Sequence, residues 1–468
     1  MTIIATIIFA LGIVALFALD REVKPRSSNA LWLPIIWFAI AGSRLVSQWI
    51  DAFAGKISSD ATYDPNYYLE GSPIDRTVLT LLLAAALVVL AWRRKRLWTV
   101  LRVNGPILLF FSYCGLSILW SDFPEVAFKR WIKAIGDLAM VLVVLTDPDW
   151  SAAIKRVLAR ASFLLIPLSV LFIKYYPSLG RGYHPWVWTP YYTGVTTNKN
   201  ELGYICLIFG IASVWRWLQA FRQKQEKRRT AALAAYSVLL AMVLWLFWMA
   251  QSLTSLACFL MASGLMIATS LSPRARRPWA VHSMVGAVLL VSSLALFGDV
   301  GGLLQALGRD PTLTGRTEIW NVVLGLTGNS WIGTGYESFW LGARLERIWS
   351  LYWWHPRQAH NGYIEIFLNL GWVGVTLLAF LLIMGYRNVV AGLRRNPDTG
   401  PLRLAYFVAA LAFNCTEAAF KMMHPVWLVF LLAVAAVPAN PRTVAKKTKA
   451  AVAFHSFARE PVPSLEES

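Results

Sequence analysis

The sequence predicts an all-α polytopic membrane protein, with about 12–13 transmembrane helices and one large loop on the outer side of the membrane. Three observations carry this prediction. Apolar runs long enough to cross about 30 Å of hydrocarbon recur from end to end. Charged residues make up 15% of the chain and hydrophobic residues 57%, against about 25% charged in ordinary soluble proteins. The basic residues gather in short clusters between the runs, in every second connection, which is the positive-inside pattern.

Taken in order, the expected spans are 3–19, 31–50, 77–92, 103–120, 132–146, 157–173, 202–218, 231–250, 253–271, 280–298, 363–385, 402–416 and 425–437. The first run, "TIIATIIFALGIVALFAL", has no basic stretch before it, and "DREVKPR" follows where a small-residue cleavage site would stand. It reads as a retained helix rather than a signal peptide. The basic connections are "RRKR" (93–96), "RQKQEKRR" (222–229), "RARR" (274–277), Arg394–Arg395 and "KKTK" (446–449). All lie on one side if the chain starts outside and ends inside. The other side receives 51–76, 174–200, the long segment 299–362 and the short "CTEAAFKMMH". The expected organisation is an N-terminal transmembrane bundle (1–298), a large outer loop (299–362), C-terminal transmembrane helices (363–437) and a disordered inner tail (438–468).

The same pattern bounds the function. A net charge of +19 would suit nucleic acid, but its confinement to alternate loops makes it topological, and no nucleic-acid partner is expected. The four cysteines, Cys114, Cys206, Cys258 and Cys415, sit in or beside different apolar runs without CxxC spacing, so they read as packing residues. No GxxxxGK[ST], no GxGxxG after a strand and no HExxH occurs, so nothing supports ATP-driven or zinc-protease chemistry.

The polar and aromatic concentration is on the outer side. Four of the six histidines fall there (His184, His355, His360 and His424), without the tight spacing of metal ligands, and no metal is expected. Trp186 and Trp188 share one loop with Tyr191 and Tyr192. Trp320 and Trp340 share the other with Trp331, Trp349, Trp353 and Trp354. Such rings make an interfacial belt, and they also suit stacking on sugar faces. Arg316 in "LTGRTEIW", Arg181 in "LGRGYHPW" and Lys199 in "TTNKNELG" are either snorkelling side chains or a cationic clamp for an anionic lipid headgroup. Asn198 and Asn200 would add neutral donors. "HNGYIEIFLNLGWVG" opens a membrane run with His360 and repeats Asn361, Glu365 and Asn369 at helical spacing on one face. That stripe reads as a hydrogen-bond network or a cavity wall, and Gly371 and Gly374 as close-packing positions.

Three segments together resemble the bacterial O-antigen ligase and polysaccharide polymerase superfamily. "HNGYIEIFLNLGWVG" is similar to its signature of a histidine, a small polar residue, nine residues and Gly-x-x-Gly: His360, Asn361, Gly371 and Gly374. "TGVTTNKNELG" resembles the family's Asn-rich helix entrance, in the Lys-Asn form of exopolysaccharide polymerases of the succinoglycan-production type. "LTGRTEIWNVVLGLTGNSWIGTGYESF" resembles the opening of the family's large periplasmic loop, and "LSILWSDFPEVAFKRWIK" adds a weaker likeness to the same branch.

The resemblance implies a GT-C-like, metal-independent, inverting glycosyltransferase of the bacterial inner membrane, without cofactor, with its active site facing the periplasm. The donor would be a glycan on undecaprenyl pyrophosphate. The acceptor would be a lipid-linked repeat unit or lipid A core, with membrane lipid and a chain-length regulator as further partners. His360 would be the general base, since an imidazole titrates near neutral pH. Arg316, with Arg181 or Lys199, would hold the pyrophosphate, supported by Asn198, Asn200, Asn361 and Glu365, the last fixing the histidine's tautomer. Trp320, Trp340, Trp186 and Trp188 would stack on glycan. A polymerase is the expected activity and a ligase the alternative. A flippase, which would need ionisable residues such as Arg44, Lys133 and Asp137 through both leaflets, and a scaffold protein complete the set.

Overall fold

The structure, a computed structural model, describes residues 1–20, 27–56, 69, 71–183, 189–222, 229–297 and 313–438, with side chains described for all but 294–297 and 313–317. The tail expected over 438–468 lies outside the described residues apart from Pro438, as do Trp186 and Trp188. The elements are helices α1 (Thr2–Leu19), α2 (Trp32–Ala41), α3 (Val46–Phe53), α4 (Pro73–Trp92), α5 (Arg94–Val103), α6 (Gly105–Leu116), α7 (Pro124–Leu145), α8 (Trp150–Tyr175) and the single turn α9 (Pro177–Gly180). A hairpin of β1 (Arg181–Tyr183) and β2 (Pro190–Tyr192) follows, antiparallel, with Arg181 opposite Tyr192. Then come α10 (Lys199–Arg222), α11 (Arg229–Ala250), α12 (Leu253–Leu271), α13 (Pro278–Phe297), α14 (Leu313–Gly325), α15 (Gly342–Leu351), α16 (Gly362–Arg395), α17 (Gly400–Thr416) and α18 (Pro425–Val434).

This is an all-α polytopic membrane protein. Each expected span corresponds to a helix or a bent helix pair. Among the described residues seven helices are long and apolar enough to cross a membrane, nine if each of two bent pairs is one span. The pairs are Asn29–Ala41 with Val46–Phe53, bent by 59°, and Arg94–Val103 with Gly105–Trp120, bent by 90°. The remaining four expectations fall on α7, α13, α17 and α18, which are shorter or more polar. The 90° bend has an identifiable cause. The Asn104 side-chain amide donates to the carbonyls of Val100 (2.8 Å) and Ala436 (2.9 Å) and accepts from Ala436 N–H (2.8 Å), tying the corner to the chain's last described turn. α17 and α18 are buried almost throughout and α8 and α10 are each 72% buried over their apolar windows, against 6% for α1, which packs one side against α8 through Phe9 and Phe17.

The helix that begins at Gly362 positions the site. It is broken at Gly371, whose φ of 63° and ψ of −165° are not helical. The break frees backbone groups, and the segment 330–335 takes them up: Trp372 N–H donates to Ser330 O (2.9 Å), Val373 N–H to Trp331 O (3.1 Å), Thr334 N–H to Leu368 O (3.2 Å) and Gly335 N–H to Asn369 O (2.8 Å). A Cβ on Gly371 would lie 2.3 Å from the Trp331 carbonyl carbon, and one on Gly333 would lie 2.4 Å from the Asn369 carbonyl carbon. The two glycines let two backbones cross, so Gly371 serves a backbone crossing rather than the helix–helix packing expected of it. Ile319, Val323, Phe339, Ile348, Ala359 and Leu368 then form a small second core, which seats the chain from α14 to His360 on the short helix before the break.

Candidate active site

His360 stands at the joint between that second core and the main bundle. Its neighbours are held on both sides. Trp320 Nε1–H donates to Ala359 O (2.7 Å), Gly362 N–H donates to Glu417 O (3.0 Å), and Asn361 Oδ1 caps the helix by accepting from Tyr363 N–H (3.0 Å) and Ile364 N–H (3.1 Å). His360 takes a left-handed backbone, φ 51°, uncommon for a residue other than glycine. Its Nδ1 lies 3.1 Å from Glu417 Oε2 and 3.3 Å from Gln358 Nε2, and the Trp354 ring centre is 6.3 Å away. Nε2 has no hydrogen-bond partner among the described residues, and the side chain is 19% exposed. An Nδ1 anchored to a carboxylate with a free Nε2 is the arrangement in which an imidazole accepts a proton.

The carboxylate on the histidine is therefore Glu417, from the short connection between α17 and α18. It is not Glu365. The Glu365 carboxylate instead accepts from Trp340 Nε1–H (2.9 and 3.1 Å) and from Ala359 N–H (2.5 Å). Asn369 Oδ1 accepts from Ser338 N–H (2.9 Å) and Phe339 N–H (3.1 Å), and Asn361 Nδ2–H donates to Cys415 O (3.1 Å). The polar stripe Asn361–Glu365–Asn369 thus faces folded chain on all three rungs, where a cavity wall was the alternative reading. Trp320 and Trp340 likewise use their indole N–H groups on the framework, and both pack against the second core. Trp354, 40% exposed and beside His360, is the ring that faces outward at the site.

The connection bearing Glu417 is itself pinned. Asn414 Oδ1 accepts from Ala419 N–H (2.8 Å) and Phe420 N–H (3.1 Å), and Asp137 Oδ2 accepts from Met423 N–H (2.8 Å) while its Oδ1 accepts from Trp37 Nε1–H (2.7 Å). Lys421 Nζ–H donates to Gln358 Oε1 (3.1 Å), which closes a chain back to His360. His424 caps α18 by accepting from Val426 N–H at Nδ1 (3.2 Å). Burial, with Lys421 beside it, holds its imidazole well below its usual value, so it stays neutral.

The expected cations divide. Lys199 opens α10, half-buried, with no hydrogen-bond or ion-pair partner among the described residues. Asn198 caps that helix, its Oδ1 accepting from Glu201 N–H (3.0 Å), while Glu201 reaches back to Thr197 N–H (3.0 Å), a reciprocal cap. Asn200 lies in the first turn, half-buried. The same helix touches the Glu417 connection one turn on, where the Tyr204 and His424 rings stand 4.6 Å apart. Arg181 donates from Nε to Ile173 O (2.9 Å), and its guanidinium lies 5.8 Å from the Tyr192 ring centre. Beside it is a cation the sequence did not single out for this role. Arg44, in the break between α2 and α3, donates from Nη2 to Leu179 O (2.7 Å) and leaves Nη1 buried without a partner. Arg316 lies on α14, one turn before Trp320 and on the same helix face, and its side chain is outside the described residues.

Residues 228–379 match the family described as O-antigen ligase. That stretch holds α11 to α14, the second core, His360 and the Gly371 break. The chain is also 24% identical over 368 residues to the exopolysaccharide production protein ExoQ of Rhizobium meliloti (strain 1021), covering 76% of this chain and 81% of that protein. The comparisons support an enzyme of the O-antigen ligase and polysaccharide polymerase type, tied to exopolysaccharide production. Arg44, Lys199 and Glu417 lie outside the family match, so the candidate site draws on both the matched region and the helices around it.

Proposed function

We propose that the protein elongates a polysaccharide by moving a glycan from undecaprenyl pyrophosphate to a sugar hydroxyl at the periplasmic face of the inner membrane. The observation that carries this reading is His360, fixed through Nδ1 to Glu417 with Nε2 free. In the proposed step the acceptor hydroxyl oxygen attacks the anomeric carbon of the donor as its proton passes to His360 Nε2. The bond from that carbon to the pyrophosphate oxygen breaks, the lipid pyrophosphate leaves with the electron pair, and the configuration inverts. Base catalysis of this kind contributes typically about 10²–10⁴-fold. Charge grows on the pyrophosphate as it leaves, and fixed cations stabilise it at that moment. Lys199 at a helix N-terminus and the free Nη1 of Arg44 suit that role, with Arg181 and Arg316 as the other members. The energy resides in the pyrophosphate linkage, so no nucleotide is needed.

The relative's connection with exopolysaccharide production favours the polymerase over the ligase. Purified protein incubated with lipid-linked repeat units alone distinguishes them. A ladder of longer lipid-linked chains is expected, and product that appears only when lipid A core is added would overturn the polymerase reading in favour of the ligase.

A further inference from the structure

A second carboxylate lies on the segment that packs against the helix following His360, outside the chemistry described above. Glu337 sits in "GTGYESF", with a left-handed backbone of φ 53°. Two residues of this segment that take such angles are glycines, Gly333 and Gly335, for which they are free of strain. For glutamate, which carries a Cβ, the conformation is strained. The turn is imposed from both flanks. Tyr336 N–H donates to Ser117 Oγ (2.9 Å), the Arg130 guanidinium donates to Glu337 O, and Ser338 N–H donates to Asn369 Oδ1 (2.9 Å). The direction of the Glu337 side chain is thereby set by its neighbours, and strain of this sort collects where a side chain must be aimed.

What it is aimed at follows from the next residue. Tyr336 is buried in the main core against which Met422 also packs, and Glu337 lies in the electrostatic reach of Lys421, Arg130 and Glu365, which sets the turn near the Glu417–His424 connection. Among the described residues the Glu337 carboxylate makes no hydrogen bond and closes no ion pair with Lys421, which is joined through Gln358 to His360 (3.1 and 3.3 Å). Burial pushes the carboxyl up from its usual value, and the two cations pull it partly back. A half-buried carboxylate with open acceptor positions, facing an ammonium it does not touch, matches a sugar hydroxyl. The hydroxyl donates to the carboxylate and accepts from the ammonium.

We propose that Glu337, with Lys421 opposite, forms the subsite that holds the acceptor sugar, receiving hydrogen bonds from its hydroxyls beside His360. The proposal rests on the glycosyl-transfer reading and assigns the acceptor side of it. The test uses Glu337→Gly and Glu337→Gln in the full chain, with a soluble repeat-unit oligosaccharide as acceptor and the lipid-linked repeat unit as saturating donor. Glycine relieves the left-handed strain, so a purely structural Glu337 predicts an unchanged or raised Tm together with unchanged transfer. The subsite predicts that same Tm with an acceptor KM raised about tenfold or more and an unchanged donor KM. Glu337→Gln, which keeps one acceptor oxygen, should fall between. Binding of the oligosaccharide without donor, followed by tryptophan fluorescence, should weaken by the same factor. An unaltered acceptor KM in Glu337→Gly, or a rise in donor KM instead, overturns the subsite alone. A wild-type protein that transfers to no acceptor at all overturns the transfer reading beneath it.

Discussion

The two ends of the bundle treat buried charge differently. At the basic end several arginines tie helices together, although Arg229 Nε, Gln219 Nε2, Ser27 Oγ and Thr399 Oγ1 are also buried there without partners among the described residues. Arg93 reaches Asp147 Oδ2 (3.2 Å), Val143 O (2.9 Å) and Ser28 Oγ (2.5 Å), Arg160 reaches Asp20 Oδ2 (3.3 Å), and Arg403 donates to Ala433 O (2.8 Å) and Ala435 O (2.5 Å) at the end of α18. At the other end, where the chain from α14 to His360 folds over the bundle, four polar groups have no partner among the described residues: His360 Nε2, Arg44 Nη1, Lys199 Nζ and the Glu337 carboxylate. The five non-glycine residues with positive φ among the described residues, Gln251, Glu337, His355, His360 and Met423, all lie in connections at that end. Polar groups buried without partners and strained backbones both cost stability. One end uses arginine chiefly to tie helices together, and at the other the open polar atoms share their side of the bundle with all five strained backbones.

If this contrast is functional, disturbing the open end should remove activity and leave stability. The largest effect is expected from His360→Asn. Asparagine tolerates the left-handed backbone better than alanine but cannot act as base. Elongation of lipid-linked repeat units should fall at least about a hundredfold, with Tm nearly unchanged. Product at a tenth of the wild-type rate or more would remove the proposed base. Next in size, Glu417→Gln keeps a hydrogen-bonding side chain against Nδ1 but removes the charge that steadies the protonated imidazole. A loss of about ten- to a hundredfold in kcat, with donor KM unchanged, is the expected reading. Equal activity would mean that Glu417 only packs against the ring.

The parts of this site legible in the sequence were those with a local pattern. The thirteen apolar runs each became a helix or a bent pair, because apolar length is decided within the run itself. His360 and the spacing to Gly371 were readable as a motif, and the structure supplies its physical reason: cap, short helix, backbone crossing. The partners were not readable. Glu417 lies 57 residues from His360 and reaches it only because Asn414 and Asp137 fold the connection between α17 and α18 back over the site. Its one sequence signal was an acid and a lysine in an otherwise apolar outer connection, "CTEAAFKMMH". Glu365 and Asn369 shared helical spacing with Asn361, but spacing identifies a face and not what packs on it. Here the chain from 330 to 359 covers it, and no periodicity announces that chain's path. Arg44 looked like an interruption of a membrane run. It became interesting only once a buried donor without a partner could be seen.

Arg44 and Arg403 give the smaller effects and the sharpest test of the contrast, because both are arginines bonded to backbone carbonyls. Arg403 uses Nε and Nη2 on two carbonyls in the last turn of α18, which have no helical partner of their own. Arg403→Met should leave both unsatisfied and cost about 1–3 kcal/mol, read as a lowered Tm, with transfer per folded molecule unchanged. Arg44 uses one nitrogen on Leu179 O and holds another open beside the segment bearing Lys199. Each arginine also faces a ring, Arg44 that of Trp49 and Arg403 that of Trp150, but Arg44→Met loses one hydrogen bond where Arg403→Met loses two, so the Tm of Arg44→Met should fall less. Its donor KM should rise about tenfold, the loss of one charge-assisted contact to phosphate. The two substitutions remove the same group from the two ends. If both lower Tm alike and neither touches donor KM, the open nitrogen of Arg44 has no ligand, and the division between a tied end and an open end does not mark the active site.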